Sequence, residues 1–368
     1  MSEAPLMLGV SGLRGIVGES LTPEVAVRYA GAFGTWLHQQ SAYTPMVVVG
    51  WDGRLGGEST YNTVIAGLQS CGCRVRRVGV AMTPTVGVVC DMTDSDAAIM
   101  VTASHNPQEW NGIKLLIRES GWTGECDGRG SAVGYEADAS APSAQTANEV
   151  IEQFNSGKIE WVGSEDRNDA SYQEDSIHAH CLRVLDAAER LVGCESGQFW
   201  NWLEDLASYV VVTDAVNGSA CEIDQAFYEG TSCRLVALYS DGSGVFPHTP
   251  EPTAENLSGE GGLCDAVPGL KADVGFAQDP DGDRLAIVDE QGRYIGEEYT
   301  LVLAAMSILE ARKSRGREHA GGAEEDGALT PARDPRARGG GGWIGGGGGG
   351  AAPAGGGAGG GGRCAETV

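Results

Sequence analysis

The chain has 368 residues, with 25 Lys and Arg against 51 Asp and Glu, for a net charge of −26. That length exceeds one ordinary hydrophobic core and predicts two or three domains. So acidic a surface disfavours nucleic acid and anionic membrane surfaces as partners, and no apolar run reaches the roughly 18 residues that a membrane span needs.

A small phosphorylated ligand remains compatible with this charge, because a few local basic residues suffice to hold one. Met1 to Leu8 lacks the basic and long apolar parts of a signal peptide, so a cytoplasmic location is expected. Gly9, Gly12, Gly15 and Gly18 surround Arg14 in what reads as a glycine-rich loop. A helix should follow: Thr22 can cap it, Pro23 suits its first turn, and Val25, Tyr29, Phe33, Trp36 and Leu37 recur at helical spacing. Met46 to Gly50 reads as a strand ending in the polar turn Trp51-Asp52-Gly53-Arg54, and Glu58 to Ser70 as a second helix. Arg74 to Val80 is a plausible strand, and a short helix is expected near Val86 to Cys90.

The run Ala97-Ala98-Ile99-Met100-Val101 reads as a buried strand that stops abruptly at Thr102-Ala103-Ser104-His105-Asn106-Pro107. Pro107 forbids an easy helical continuation, so Ser104 is presented on a loop at a strand end. In open α/β sheets ligands collect there. Ile113 to Ile117 is a further strand, and its Lys114 can return towards the serine. Glycine, serine, alanine and acids dominate 119–148, which reads as a loop or insertion. Helices are expected at Val150 to Ser156 and Ser176 to Val192, the latter burying Cys181, Leu182, Val184, Leu185 and Leu191.

A second α/β pattern starts at Tyr209, with strands at Tyr209 to Thr213, Cys233 to Leu238, Ala272 to Ala277 and Leu285 to Val288. Strands alternating with helices predict successive three-layer α/β domains with mixed or parallel sheets. Gly296 to Thr300 leads into a helix from Leu301 to about Lys313, and the Gly-rich sequence from Ser314 to Val368 is expected to be a disordered low-complexity tail. The ten scattered cysteines contain no CxxC pair and read as reduced, mostly buried thiols; His178 and His180 read as solvated.

Between the last two strands stands Asp279-Pro280-Asp281-Gly282-Asp283-Arg284. Pro280 and Gly282 suggest a tight loop in which three carboxylates converge, and hard oxygen donors suit Mg²⁺ or Ca²⁺ rather than zinc. The spacing is like the start of an EF-hand loop, with Glu290 at the twelfth position, but Arg284 stands where that loop needs glycine and both flanks read as strands. Arg284 is placed to hold an anion near the cation or to pair with an aspartate. A serine hydroxyl, a divalent-metal loop and the cations Arg14, Lys114 and Arg284 are the parts of a phosphoryl-transfer site. No P-loop accompanies them, so the phosphate can be carried on Ser104 itself.

Thr102 to Pro107, with Asn111-Gly112-Ile113-Lys114 after it, resembles the phosphoserine signature of the α-D-phosphohexomutases. Asp279 to Arg284 resembles their magnesium loop, Ser11 to Gly15 their N-terminal motif, and Gly50 to Arg54 their second short motif. The resemblance covers roughly residues 8 to 313. It implies a phosphorylated Ser104, one Mg²⁺ bound by the serine phosphate with Asp279, Asp281 and Asp283, and a hexose 1,6-bisphosphate as intermediate and activator. It implies acid/base or electrostatic roles for Arg14, Lys114 and His105, and a phosphosugar contact for Arg14, Lys114 and Arg284. The family's reaction interconverts hexose 1- and 6-phosphates; glucosamine phosphate is the favoured substrate, with mannose and glucose phosphates as alternatives. The expected organisation is domain I at 1–148, a helical connection and the start of domain II at 149–200, domain II at 201–292, the beginning of domain III at 293–313, and the tail at 314–368. The family's third-domain sugar loop and fourth-domain phosphate loop have no counterpart here. A truncation or frameshift near 313 is therefore expected, and with it the alternative of a Mg²⁺-binding chain without turnover.

Overall fold

A computed structural model describes residues 5–93, 95–118, 138–173, 175–192, 199, 203–204 and 206–319. Most of the expected 119–148 loop and most of the expected tail lie outside the described residues. The first sheet is seven-stranded and mixed: β1 (Met7–Gly9), β2 (Gly12–Ile16), β3 (Met46–Trp51), β4 (Arg74–Val80), β5 (Ala97–Val101), β6 (Trp110–Ile117) and β7 (Ala170–Tyr172). The spatial order is β1-β2-β6-β5-β3-β4-β7, with β5, β3, β4 and β7 parallel.

The valine-rich β3 and the apolar β5 are buried on both faces, which is why they read as continuous hydrophobic runs rather than alternating ones. Val47, Val49, Ala97, Ile99 and Val101 face one cluster with Phe33, Leu37, Val64 and Leu68 from helices α1 (Pro23–Gln40) and α2 (Gly57–Ser70). Val48, Ala98 and Met100 face the opposite cluster with Val86, Val89 and Cys90 from α3 (Thr83–Met92). Each such Val, Ile, Leu, Met or Phe side chain contributes about 1.5–3 kcal/mol of burial. Thr22 caps α1 by accepting from the Val25 amide.

Domain II carries a four-stranded sheet in the order β11-β10-β8-β9, from β8 (Val210–Asp214), β9 (Arg234–Leu238), β10 (Val274–Gln278) and β11 (Leu285–Asp289). The first three are parallel and β11 returns antiparallel. Helix α7 (Leu263–Leu270) covers one face with Leu263 and Val267. On the other, Ala220, Cys221 and Ile223 of α6 (Cys221–Glu229) and the turn before it pack with Cys181 of α5 (Ser176–Val192).

Several local expectations are corrected. The glycine-rich stretch around Arg14 is strand β2, not a loop. Gly12 sits at φ +93°, and a Cβ there would collide with the Ile113 carbonyl of β6, so the glycines allow close strand approach. Helix α4 (Ala144–Ser156) starts six residues before Val150, because Ser143 caps it through the Thr146 amide. The expected apolar face of α5 is only partly buried: Cys181 is covered, but Leu182 and Val184 are 45% and 37% exposed. His180 is not solvated; its Nδ1 lies 2.8 Å from Thr85 Oγ1, while His178 is exposed. Helix α8 (Glu297–His319) runs past Ser314, since Arg and Glu continue a helix readily. The described cysteines are free thiols, all buried except Cys233. No helix among the described residues is long and apolar enough to cross a membrane.

Candidate active site

The C-terminal ends of β3 and β5 lie side by side, and the loops after them form one buried lattice. Ser104 has φ +51°, a left-handed conformation uncommon for a side-chain-bearing residue. Two backbone contacts hold it there. Its amide donates to Thr102 Oγ1 at 2.8 Å, and its carbonyl accepts from the Arg54 guanidinium at 2.6 Å. Arg54 Nε is paired with Asp52 Oδ2 at 2.7 Å, and the same Asp52 oxygen accepts from Thr102 Oγ1 at 2.7 Å. Arg54 also donates to the Trp110 carbonyl at 2.6 Å. Asp52 and Arg54 are both fully buried, so charge neutralisation and hydrogen bonding must both be satisfied locally, and they are.

The loop carrying Asp279, Asp281 and Asp283 joins β10 to β11. Gly282 turns it at φ +62°, with its amide donating to the Asp279 carbonyl at 2.9 Å. Carboxylate oxygens of Asp279, Asp281 and Asp283 all lie within 4.8 Å of one another. Ser104 Oγ donates to Asp279 Oδ2 at 2.6 Å, which brings the two domains' loops together. Thr83, at the start of α3, donates its hydroxyl to Asp281 Oδ2 at 2.5 Å and its amide to the Asp281 carbonyl at 2.7 Å. Lys114 Nζ bridges Asp281 Oδ2 and Asp283 Oδ2, both at 2.6 Å.

The electrostatics follow from this crowding. Burial, then the charges of Asp281 and Asp283, push the Asp279 carboxyl well above the usual range. Burial also pushes Asp281 up, but the Lys114 ammonium outweighs it and holds that carboxyl low. Burial pulls Lys114 down, and its two aspartates more than compensate, so it stays an ammonium. His105 Nδ1 lies 3.3 Å from Ser104 Oγ; burial, then the Arg284 charge, lowers its pKa and favours the neutral ring.

The arrangement fits a hard divalent cation. Three carboxylates supply the oxygen donors, and Asp281 Oδ1 is buried without a hydrogen-bond partner. Asp279, Asp281 and Asp283 would hold Mg²⁺ beside Ser104.

Arg14 lies on β2 and donates to Asn106 Oδ1 at 3.2 Å, so its guanidinium reaches the serine loop. Arg284 pairs through its guanidinium with glutamates rather than with an aspartate. Its amide donates to Asp279 Oδ1 at 3.1 Å, while its guanidinium faces Glu297 at 3.7 Å and Glu251 at 3.9 Å. Thr83, Thr102, Asp52 and Arg54 complete the site; the sequence places the last three in family-like motifs without a role and leaves Thr83 out. The available signal was Asp-x-Arg directly after an all-apolar strand.

Two family models match the chain: phosphoglucomutase/phosphomannomutase alpha/beta/alpha domain I over residues 5–124, and domain II over residues 203–292. The chain belongs to the α-D-phosphohexomutase family. It is 34% identical over 319 residues to a Thermococcus kodakarensis protein named phosphoglucomutase/phosphomannomutase, a match covering 86% of this chain and 60% of the relative. It is 32% identical over 305 residues to a Methanopyrus kandleri protein named probable phosphoglucosamine mutase, covering 83% of this chain and 58% of that one. The chain thus spans about three fifths of the length of these relatives. The crystal structure of a Burkholderia thailandensis phosphoglucomutase/phosphomannomutase family protein superposes with a TM-score of 0.61 at 26% identity, over 83% of this chain and 60% of that one.

Proposed function

We propose that this phosphohexomutase chain serves the interconversion of hexose 1- and 6-phosphates, with Ser104 as phosphoryl carrier. The observation that carries this reading is the Ser104 hydroxyl bonded to Asp279 within a three-carboxylate cluster. In the first half-reaction the P–Oγ bond of phosphorylated Ser104 breaks and a P–O bond forms to the free hydroxyl of the phosphosugar; in the second, the reverse transfer breaks a P–O bond of the bisphosphate and re-forms P–Oγ. In the first the sugar hydroxyl loses its proton and Ser104 Oγ regains one, and the second reverses this, so the exchange is balanced. The hexose 1,6-bisphosphate then turns over and returns its other phosphate to Ser104.

Asp279, Asp281 and Asp283 would hold Mg²⁺, which when bound would supply positive charge near the phosphoryl oxygens. Lys114 and Arg14 add fixed positive charge at the serine loop. His105, 3.3 Å from Oγ, is within reach to move a proton at that atom. Arg284, half-exposed beside the metal loop, is a phosphosugar contact. The absence of a nucleotide motif supports a cycle that needs no ATP.

Glucosamine phosphate is the favoured substrate, supported by the names of relatives such as the Methanopyrus protein; mannose and glucose phosphates are the alternatives. Coupled assays with the three 1-phosphates or 6-phosphates, primed with the matching bisphosphate, test the reading. Turnover of one sugar with phosphorylated Ser104 supports it. Mg²⁺ binding without turnover of any sugar leaves a metal-binding chain and rejects the mutase.

A further inference from the structure

Both ring nitrogens of His248 face hydrogen-bond acceptors. Nε2 lies 3.0 Å from Asp214 Oδ2, and Nδ1 lies 2.9 Å from the Thr249 carbonyl oxygen. A neutral imidazole has one N–H and leaves one of these contacts without a proton, whereas an imidazolium donates to both. Asp214 is 1% exposed, and its other oxygen accepts from the Val216 amide at 3.0 Å. A carboxylate so placed needs a positive partner, and His248 is the one it has.

This pair sits at the root of a segment that reaches the serine loop. Asp214 ends β8, and Asn217 in the turn after it donates from Nδ2 to the Val245 carbonyl at 3.0 Å. The Asn217 carbonyl accepts from the Gly244 amide at 3.0 Å. The turn and His248 therefore grip residues 244–248 from both ends. That segment docks on domain I. The Gly244 carbonyl accepts from the Leu55 amide at 2.9 Å and from Gln108 Nε2 at 3.0 Å. The Phe246 amide donates to Gln108 Oε1 at 2.9 Å, and the Arg54 guanidinium lies 5.2 Å from the Phe246 ring centroid. Arg54 is the residue that fixes the Ser104 carbonyl. A Cβ on Gly244, which has φ +68°, would collide with the Gly53 carbonyl, so the two loops meet backbone to backbone.

We propose that His248, as an imidazolium locked to Asp214, is a positioning residue that seats the 244–248 segment against the serine loop, and that losing its proton loosens that seat. The docking stands on these contacts alone; only its bearing on catalysis rests on the reading of Ser104 as phosphoryl carrier. Burial pulls the ring's pKa down, and the hydrogen bond and charge of Asp214 more than reverse this. The charged group facing the ring is Asp214 of β8, and the other titratable neighbour is Tyr239 at the end of β9, edge-on at 5.3 Å. The folded pKa therefore exceeds the unfolded one. The stabilisation is complete below the unfolded pKa of about 6.5 and disappears as pH rises through the folded value.

Nitrogen-15 NMR of the His248 ring, with amide hydrogen exchange corrected for its intrinsic pH dependence, tests this from about pH 5.5 to 9, a range bracketing the ordinary histidine pKa. Both ring nitrogens should be protonated at the acid end. Protection of the Phe246 and Leu55 amides should fall about tenfold as the ring titrates, the effect of losing one charge-assisted hydrogen bond, while Val48 in the core stays unchanged. His248→Gln, which keeps one donor, should lose the pH step. A ring that is neutral at the acid end, a constant protection through the titration, or a step that survives in His248→Gln overturns the proposal. The wild-type titration needs no variant to fold, and none of these readouts depends on mutase turnover.

Discussion

Ser104 Oγ reaches Asp279 Oδ2 at 2.6 Å across 175 positions of sequence, and the two residues come from loops at the ends of strands in different sheets. The proposed phosphoryl transfer draws on loops from both sheets. Ser104→Ala should therefore abolish uptake of a phosphoryl group from hexose 1,6-bisphosphate and lower any mutase rate by at least about 10³-fold, as for loss of a covalent nucleophile. Stability should fall by about 1–3 kcal/mol, because buried Asp279 loses a donor, while alanine bears the left-handed backbone as serine does. Intact mass before and after bisphosphate treatment checks the first point; a phosphorylated Ser104→Ala protein would place the carrier elsewhere.

Lys114 holds together two carboxylates, one of them fully buried. Lys114→Met should leave Asp281 without its cation and destabilise the protein by about 3–5 kcal/mol. Mg²⁺ should offset much of this loss. At a hundredfold excess over its dissociation constant, a ligand specific for the folded state adds about 2.7 kcal/mol. Urea unfolding of wild type and variant, each in Mg²⁺ and in EDTA, gives the comparison. Stabilities of wild type and variant that are both unchanged between Mg²⁺ and EDTA would show that the three aspartates do not form a cation site.

The parts of this site visible in the sequence are those whose chemistry is local. Asp279, Asp281 and Asp283 announce themselves by spacing, and Ser104 by the abrupt end of an apolar run. The apolar strands β3 and β5 were equally plain, because burial on both faces writes itself as uninterrupted Val, Ile and Ala. Arg54 was opaque for the opposite reason. Its partners are Asp52, the Ser104 carbonyl and the Trp110 carbonyl, and two of these three lie 50 or more positions away. Nothing in the local sequence marks an arginine as fully buried. Strand β2 was hidden by its own glycines, which lower strand propensity yet are required where β2 meets β6. The face of α5 was overestimated because helical periodicity shows which side chains align, not whether a partner covers them.

Arg54 gives a prediction of its own. Its side chain is buried and neutralises Asp52 while fixing two carbonyls. Arg54→Ala should cost about 3–5 kcal/mol, because it strands a buried carboxylate. Arg54→Lys should recover only part of that, since an ammonium cannot serve three acceptors in the geometry of a planar fork. Equilibrium unfolding of both variants measures the cost. A loss below about 1 kcal/mol for Arg54→Ala, the scale of an exposed ion pair, would contradict the buried lattice.

Asp224 on α6 predicts a pH effect of opposite sign to the usual carboxylate. Gln278 Nε2 donates to its Oδ1 at 2.8 Å, but Oδ2 is buried without a partner, and the nearby Thr213 hydroxyl makes no well-formed bond. Burial raises its pKa to about 6. The unfolded value is about 3.9, so between the two the folded state binds more protons than the unfolded state. Stability contributed by this residue therefore falls as pH rises from about 4 to about 6, and the cost persists above that range. A shift of that size corresponds to roughly 3 kcal/mol as an upper limit. Asp224→Asn keeps an oxygen for Gln278 and removes the charge. It should be more stable than wild type by about 1–3 kcal/mol at pH 8, with the difference vanishing near pH 4, where the wild-type carboxyl is already neutral when folded. Urea midpoints across that range decide the matter. An asparagine variant that gains nothing at pH 8 relative to pH 4 would mean that the Asp224 carboxylate is solvated or paired in the folded protein.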